Sequence, residues 1–399
     1  MRREPDHWKH LWPLDPGVAF LNHGSFGACP RVVLDEQEQW RARMERQPVQ
    51  FFVRDLERAL DTARAALAAF LGADPSDLVF VPNATTGVNA VVRSLGFEPG
   101  DELLTTTHAY NACRNALEFV ARRAGARVVV APIPFPIAAP EQAVAAVLAR
   151  VTPRTRLALL DHITSPTALV LPIVSIVQAL TARGIETLVD GAHAPGMVPL
   201  CIPEVGATYY TGNCHKWLCA PKGAGFLWVR RDRQPDIRPV VISHGANSPR
   251  TDRSRFRIEF DWTGTADPTS YLCVPRALEV MGTLLPGGWP ELMQRNRALA
   301  LQARATLCAA LGTSPPCPDE MIGALASVPI ADGSGVPSTS PLYLDPLQDV
   351  LLERHRIEVP IIPWPAPPRR LVRISAQIYN TEEEYRRLAT ALAELDGVM

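Results

Sequence analysis

The sequence predicts an α/β fold in which helices cover both faces of a mostly parallel sheet. Helix-like and strand-like segments alternate from about residue 55 onward. The strand-like runs are almost wholly apolar, as expected for strands that are buried on both faces. The chain has 399 residues, 47% of them hydrophobic, which is enough for a large core and for two domains.

Each predicted element follows from its local pattern. Apolar residues recur at helical spacing in the helix-like segments, and a glycine such as Gly96 closes them, whereas the strand-like runs are short and continuous. The predicted elements, in chain order, are a helix over residues 55–73, a strand over 77–83, a helix over 84–96, a strand over 101–107, a helix over 111–126, a strand over 127–133, a helix over 141–152, a strand over 156–162, a helix over 174–184, a strand over 185–193 and a strand over 208–212.

The pattern changes after about residue 270. Helix-like stretches are predicted at 274–285 and 289–311, short strand-like runs follow, and a last helix covers 381–395. We therefore expect three parts: an N-terminal segment over 1–50 that joins the small domain and the active site, a large domain over 51–270, and a small α+β domain over 271–399.

Composition excludes several functions. A net charge of −1 provides no field to gather nucleic acid or an anionic membrane. There is no apolar run of 18 or more residues and no signal peptide pattern, so the cytoplasm is the expected compartment. The eight cysteines form no CxxC pair or repeated spacing, so we expect buried thiols and no metal site.

Polar groups follow the predicted strands at four places. Ligands of parallel sheets bind outside the carboxyl ends of the strands, so these groups are candidates for a site. The first group can cap a helix and form an anion site, although a plain N-cap explains it equally well. The four places hold Asn83, Thr85 and Thr86, then His108 and Tyr110, then Asp190 and His193, and finally His215 and Lys216.

An acid at one strand end and a lysine at another are what a pyridoxal phosphate (PLP) site requires. The lysine forms a Schiff base with the aldehyde, which needs an amine of lowered pKa in a partly buried pocket. The acid keeps the pyridine nitrogen protonated, and a helix N-terminus takes the phosphate. Asp190, Lys216 and the "NATTG" turn offer these parts.

Seven motifs extend this pattern over roughly residues 18 to 385. They are "LNHGSFG", "NATTGVN", "SPTALVLP", "VDGAHAPG", "GNCHKWLCAPKGAGFL", "WTGTADP" and "RIS" followed by "YNT". The chain resembles the class V branch of the fold-type I PLP enzymes, most closely the isopenicillin N epimerase-like and cysteine desulfurase-related group. The resemblance implies PLP as cofactor, a large domain with a seven-stranded sheet, a smaller α+β domain, and a homodimer with shared active sites.

The resemblance also implies roles for single residues. Lys216 is expected to bind the cofactor and carry the substrate proton, Asp190 to pair with the pyridine nitrogen, and His193 to reach the ring hydroxyl. His108 is expected to stack on the ring, with Tyr110 as a second candidate for that face.

Two further groups of residues are expected at the ends of the cofactor and substrate. Arg373 is expected to bind the α-carboxylate of an amino acid, with Asn22 and Ser25 nearby. The phosphate is expected to be held by Thr85, Thr86, Thr211 and His215, and by Thr265 of the neighbouring subunit.

The reaction stays open between three chemistries and a non-enzymatic scaffold. Epimerisation at Cα needs a second acid, for which His108 and Tyr110 are the candidates. β-Elimination from a cysteine derivative needs only the lysine and the cofactor, and transamination needs a second keto-acid substrate. A persulfide mechanism is disfavoured because the segment before "RIS" contains no cysteine. Ala168 and Cys214 depart from the family pattern and could reshape the pocket.

Overall fold

A seven-stranded sheet forms the centre of the protein, whose structure is a computed structural model that describes residues 6–333 and 345–396. The strand order is β2-β8-β7-β6-β5-β3-β4. The strands of the protein are β1 Ala19–Phe20, β2 Leu78–Val81, β3 Glu102–Thr106, β4 Arg127–Ala131, β5 Thr155–Asp161, β6 Glu186–Gly191, β7 Tyr209–Asn213, β8 Gly225–Val229, β9 Leu325–Ile330, β10 Ile357–Glu358, β11 Ile361–Pro363 and β12 Arg370–Ser375.

Five neighbouring strands of this sheet, β7, β6, β5, β3 and β4, run parallel, as predicted. Strand β8 runs antiparallel to both β7 and β2. The link from β7 to β8 is short and contains no crossover helix, and a parallel connection needs such a crossover. The chain therefore turns back at this link, which carries Lys216.

Helices connect the parallel strands where the sequence predicts them. Helix α7 shows how one ends: Gly125 adopts the left-handed conformation with φ of 68°, and its N–H donates to Ala121 and Arg122 carbonyls. The helices are α1 Asp6–Lys9, α2 His23–Phe26, α3 Arg31–Arg46, α4 Pro48–Gln50, α5 Leu56–Phe70, α6 Ala84–Ser94, α7 Asn111–Ala124, α8 Pro140–Leu148, α9 Ile173–Thr181, α10 Ile202–Val205, α11 Arg255–Phe260, α12 Thr269–Leu272, α13 Val274–Thr283, α14 Gly288–Ala310, α15 Pro346–His355 and α16 Glu382–Asp396.

A second sheet, of three antiparallel strands in the order β11-β12-β9, lies in the C-terminal part. The short strand β1 pairs in parallel with β10, so the N-terminal segment is tied to the C-terminal part of the chain. We propose domain boundaries near residues 50 and 270, because the seven-stranded sheet ends at Val229 and the second sheet begins at Leu325.

Apolar side chains fill both faces of the central sheet. Leu104, Ala158 and Val189 belong to one buried cluster, while Leu103 and Leu188 belong to the cluster on the other side. Neighbouring residues of one strand point to opposite faces, so this division matches a sheet covered on both sides. None of the described helices is long and apolar enough to span a membrane.

Candidate active site

The candidate site lies at the carboxyl edge of the central sheet. Strands β5 and β6 are in register there, so Asp161 lies directly beside Asp190. Lys216 lies in the link after β7, the next strand along the sheet. Parallel register brings these strand ends together, as the positions after the predicted strands indicate.

Lys216 is partly buried and contacts a buried histidine. Its Nζ lies 3.1 Å from Nε2 of His193. Desolvation, followed by the positive charge of Arg373, lowers the pKa of Lys216 to about 7, while the charge of Asp190 opposes this shift. A substantial fraction of the lysine is therefore the free, nucleophilic amine at neutral pH.

Trp217 holds the other side of the same histidine. The indole Nε1 lies 3.4 Å from Nδ1 of His193 and donates to it. Burial, followed by the charge of Lys216, lowers the pKa of His193 well below its ordinary value. His193 is therefore a neutral imidazole between an indole and an amine.

Asp190 is a buried acid with two internal donors. Its Oδ2 accepts from the Cys113 thiol at 3.1 Å, and its Oδ1 accepts from the Ala192 N–H at 3.0 Å. Burial raises the pKa of Asp190, while the hydrogen bonds and the charge of Lys216 counteract this. The Cys113 contact is absent from the sequence-based predictions.

Asp161 was also missed by the sequence analysis. Burial and then the charge of Asp190 raise the pKa of Asp161 well above its ordinary value, and its Oδ1 accepts from the Tyr110 N–H at 3.3 Å. The two buried carboxyl groups lie side by side at the strand ends, so the charge of Asp190 disfavours ionisation of Asp161. The "LALLD" run, which ends on an acid as "TLVD" does, was the available signal.

Helix α6 points its N-terminus at this edge. Asn83 caps it by accepting from the Thr86 N–H at 2.9 Å, and Asn213 accepts from the Ala84 N–H at 2.8 Å. Within the described residues, no hydrogen bond engages the Thr85 N–H. The helix end therefore offers an amide and a positive dipole to an anion.

The expectation that Thr211 holds the phosphate needs a correction. Its hydroxyl is buried inside the sheet and donates to the Phe226 carbonyl at 2.7 Å. Asn213, the last residue of β7, is the side chain of this strand that reaches helix α6. His215 binds the Ala224 carbonyl through Nδ1 at 2.8 Å, which leaves its Nε2 for another partner.

Arg373 is buried and held by two serines. Its Nη1 donates to the Ser165 carbonyl at 2.6 Å and to the Ser165 hydroxyl at 3.0 Å, and its Nη2 donates to the Ser25 hydroxyl at 2.9 Å. Ser25 in turn donates to Asn22 Oδ1 at 2.5 Å. The buried Nε of Arg373 has no partner among the described residues, so the guanidinium retains a donor for a ligand.

His108 has both ring nitrogens engaged inside the protein. Nε2 donates to the Ile133 carbonyl at 3.0 Å, so Nδ1 accepts from the Thr167 hydroxyl at 2.6 Å. Burial lowers the pKa of His108 to about 4. Proton transfer by His108 would break one of these bonds, so we withdraw His108 as the second acid, while stacking on a cofactor ring stays a prediction.

Tyr110 differs from His108 because its side chain is 44% exposed. Its phenol acts on the charge of Arg373, which places the two groups near each other. Thr265 lies in an exposed loop before α12, and no hydrogen bond among the described residues joins it to the site. Its contribution to a partner subunit stays a prediction.

Two glycines hold the lysine link in place. Gly27 has φ of 72°, and a Cβ there would lie 2.0 Å from the His215 carbonyl oxygen. Gly196 has φ of 84°, and a Cβ there would lie 2.8 Å from the Trp217 carbonyl carbon. Backbone from two distant segments therefore packs directly against the link, which only glycine allows.

The two residues that depart from the family pattern are both fully buried. Ala168 is fully buried, with φ of 60°, and packs in the apolar cluster that includes Trp217. Glycine adopts this left-handed backbone conformation more readily than alanine does. Cys214 is fully buried in the main core. Their effect on the shape of the pocket stays a prediction.

These groups fit PLP. The partly buried amine of Lys216 suits its aldehyde, the buried carboxyl of Asp190 suits its pyridine nitrogen, and the Thr85 amide at the start of α6 suits its phosphate. The unpartnered Nε of Arg373 then remains for a substrate carboxylate.

Comparisons with known proteins agree with this chemistry. The family Aminotransferase class-V matches residues 19–269. The isopenicillin N epimerase of Amycolatopsis lactamdurans is 37% identical over 396 residues, which cover 96% of each protein. The L-cysteine desulfhydrase of Arabidopsis thaliana is 32% identical, over 95% of this chain and 88% of the relative. The structure of a C-DES variant with glycine covalently linked to PLP has a TM-score of 0.78 at 24% identity, over 97% of this chain and 99% of that one, and shows the same fold.

The fold and the site define a fold-type I PLP-dependent enzyme. The family match and the relatives both identify the branch of that class to which the chain belongs. The chain belongs to the class-V aminotransferase family, and its cofactor is PLP.

Proposed function

We propose that this enzyme is an epimerase or racemase that acts at Cα of an α-amino acid. The observation that carries the proposal is the position of Arg373. Its charge acts on the amine of Lys216 and on the phenol of Tyr110, so both proton-carrying groups lie near the guanidinium. A carboxylate bound by Arg373 would have its Cα within reach of two separate proton donors or acceptors.

Arg373 supports the choice of an α-amino acid as substrate. Ser165 and Ser25 fix its two terminal nitrogens, which leaves the Nε donor, unpartnered among the described residues, for a carboxylate. Binding of a planar carboxylate by a pre-positioned guanidinium is strong and directional. Asn22 supports Ser25 from behind through their hydrogen bond.

In the proposed reaction Lys216 takes the proton from Cα and Tyr110 returns one from the other side. When bound, PLP supplies an aldehyde that condenses with the substrate amine and a ring that delocalises the negative charge left at Cα. Lys216 can act as the base because its environment favours the free amine. Tyr110 keeps one edge exposed, so its phenol can be protonated again from solvent.

Elimination from a cysteine derivative is the second candidate. Relatives named as L-cysteine desulfhydrases, at 32% identity, support it, whereas the isopenicillin N epimerases, at 35% and 37%, support epimerisation. Elimination needs Lys216 as base but no second acid. A persulfide route has less support, because seven of the eight cysteines are buried and the remaining one, Cys201, is partly buried. The segment before Arg373 contains no cysteine either.

A homodimer and a cytoplasmic location remain part of the proposal. The exposed position of the loop with Thr265 supports a contact with a second subunit, which would complete the phosphate site. Sedimentation of the wild-type enzyme and of Thr265→Ala, with and without PLP, measures both the assembly and this contribution.

The decisive experiment incubates the PLP-loaded enzyme with L-amino acids and S-substituted cysteines in deuterated water. Mass spectrometry and chiral chromatography then separate the outcomes. Deuterium at Cα together with an inverted centre supports the epimerase, whereas pyruvate, ammonia and a thiol support the lyase. Neither exchange nor elimination with any substrate would contradict both.

Two variants sharpen the assignment. Tyr110→Phe is expected to keep exchange at Cα but to lose inversion by about two orders of magnitude, since general acids contribute factors of this size. If elimination is the reaction, pyruvate formation survives in Tyr110→Phe. Lys216→Ala abolishes exchange, inversion and elimination, so activity retained in that variant would overturn the proposal.

A further inference from the structure

We propose that Trp217 is a positioning residue whose indole N–H fixes the tautomer of His193. In that tautomer Nε2 of His193 donates a hydrogen bond to Lys216, and only the free amine of Lys216 can accept it. Two contacts link the three side chains through the imidazole: indole Nε1 meets Nδ1 of His193, and lysine Nζ meets Nε2. The consequence for catalysis rests on the proposed function, whereas the tautomer itself does not.

The first step of the argument is the direction of the Trp217 hydrogen bond. An indole nitrogen donates and never accepts, so Nδ1 of His193 must be the unprotonated nitrogen. Trp217 is 1% exposed and His193 is 2% exposed, so bulk water offers neither group a replacement. The single proton of the neutral ring therefore lies on Nε2.

The second step concerns the lysine. Nε2 of His193 now carries a proton and lies 3.1 Å from Nζ of Lys216, so the lysine must accept. An ammonium group has three donors and no acceptor, whereas a free amine has a lone pair. If Lys216 were protonated, its ammonium and the Nε2–H of His193 would be two donors facing each other. His193 could avoid this only by changing tautomer and losing the hydrogen bond from Trp217.

The third step is that Trp217 is held rigidly. Its side chain lies in an apolar cluster with Ile163, Met197 and Leu325, and its ring lies 4.9 Å from that of His23. The close approach of Gly196 to its carbonyl fixes the backbone as well. The indole N–H is thus a preset donor, in the sense in which supporting groups orient a reactive histidine.

Other charged groups act on the same pair. Arg373 disfavours the ammonium of Lys216, while Asp190 and Cys113 favour it. Arg373 and His23 also act on His193. All of these groups are unchanged by a substitution of Trp217, so the effect of its N–H can be measured against a constant background.

The direct test is ¹⁵N NMR of cofactor-free protein labelled at histidine. The resonances of His193 are assigned by their loss in His193→Gln. The wild-type protein is expected to have a neutral His193 with the proton on Nε2. Trp217→Phe keeps an aromatic ring but lacks the N–H, and it is expected to give a mixture of both tautomers. A wild-type proton on Nδ1, or an unchanged spectrum in Trp217→Phe, would overturn the proposal.

The second test measures how the cofactor-free enzyme captures added PLP, followed by absorbance from pH 6 to 10. In Trp217→Phe the midpoint of the rate profile is expected to move up by about one pH unit, a tenfold slower capture below the midpoint, as the loss of one hydrogen bond predicts. Trp228→Phe is the matched control, because the buried indole nitrogen of Trp228 has no partner among the described residues. An unshifted midpoint contradicts the proposal.

A double variant separates positioning from packing. The amide of His193→Gln has an NH₂ group that can donate to Lys216 without any choice of tautomer. Trp217→Phe is therefore expected to shift the midpoint in the wild-type background. In the His193→Gln background it is expected to change the capture rate below the midpoint by no more than about twofold. Equal shifts in both backgrounds would mean that Trp217 acts only through packing. Neither readout needs turnover, so a failed function assay leaves the result intact.

Discussion

Cys113 Sγ lies 3.1 Å from Asp190 Oδ2, and the thiol donates its proton to this carboxylate. Cys113 belongs to helix α7, whereas the second donor to Asp190, the Ala192 N–H, lies two residues further along the chain from Asp190. The hydrogen bond from Cys113 lowers the pKa of Asp190 against the effect of burial, and thereby favours the ionised acid that a pyridine nitrogen needs.

Cys113→Val removes this donor at similar volume, and we expect PLP to bind about tenfold more weakly at neutral pH. A hydrogen bond to a charged group contributes about 1.5–3 kcal/mol, and Asp190 would ionise less readily without it. Absorbance titrations with PLP measure the dissociation constant. Cys113→Ser keeps a donor and should stay within about threefold of wild type; equal weakening by both variants would assign the effect to packing.

Removal of the Lys216 charge should stabilise the cofactor-free protein at neutral pH. The pKa of Lys216 is about 7 in the folded protein, against an ordinary value of 10.5, so between these values the unfolded chain binds up to one proton more and stability rises with pH. Below pH 7 the loss of stability caused by burying the charged lysine is complete. Lys216→Met lacks it, and its advantage over wild type should shrink by about 2–4 kcal/mol between pH 7 and 10.

Urea unfolding at pH 7, 8.5 and 10 measures that difference. Lys9→Met serves as the control, because Lys9 forms an ion pair with Glu384, which is not a residue of the site. A constant offset between Lys216→Met and wild type across this range would show that the lysine is not desolvated in the folded protein.

Acid should unfold the protein before pH 4 is reached. Burial lowers the pKa of His108, His162 and His215 to about 4 and that of His23 to about 3. The unfolded chain therefore binds more protons below pH 6.5, and stability falls as pH drops. At pH 5 each of these histidines lowers the free energy of unfolding by about 2 kcal/mol. Together they approach the whole stability of a typical protein.

Circular dichroism against pH follows this transition. His162→Gln removes one buried imidazole and should move the acid midpoint down by several tenths of a pH unit. The exposed His244 provides the comparison, and His244→Gln should leave the midpoint in place. The same midpoint in both variants would mean that other groups drive acid unfolding.

Arg373→Lys should raise the Michaelis constant for an amino acid by about tenfold to a hundredfold, with a smaller fall in kcat. Lysine retains the charge but cannot reproduce the planar donor set that Ser165 and Ser25 hold in place. Steady-state kinetics separate the two constants. Ser25→Ala removes one supporting bond and should raise the Michaelis constant only severalfold; an unchanged constant in Arg373→Lys excludes this residue from carboxylate binding.

The sheet was predictable because its signals are local. Buried parallel strands are apolar along their whole length, and helices such as α5 and α7 carry their own periodicity and glycine ends. The reversal of β8 and the pairing of β1 with β10 depend on contacts between distant segments, which no local pattern records.

The same distinction applies to the site. Asp190 and Lys216 were predicted because each follows a strand-like run. Thr211 was misplaced because it lies two residues inside β7, where its hydroxyl serves the sheet, whereas Asn213 ends the strand. The alignment of Asp161 with Asp190 depends on the register between two strands, which the sequence does not reveal.

The contacts between the N-terminal turn and the lysine link imply an order of events in folding. His23 donates to the Lys216 carbonyl across 193 residues of chain, and Gly27 packs on the neighbouring His215 carbonyl. Such a contact forms only when the N-terminal turn and the middle of the chain have come together, which places it among the slow, non-local events of folding. Under the proposed role of Lys216, we therefore expect covalent binding of PLP only after the N-terminal turn has docked on the lysine link.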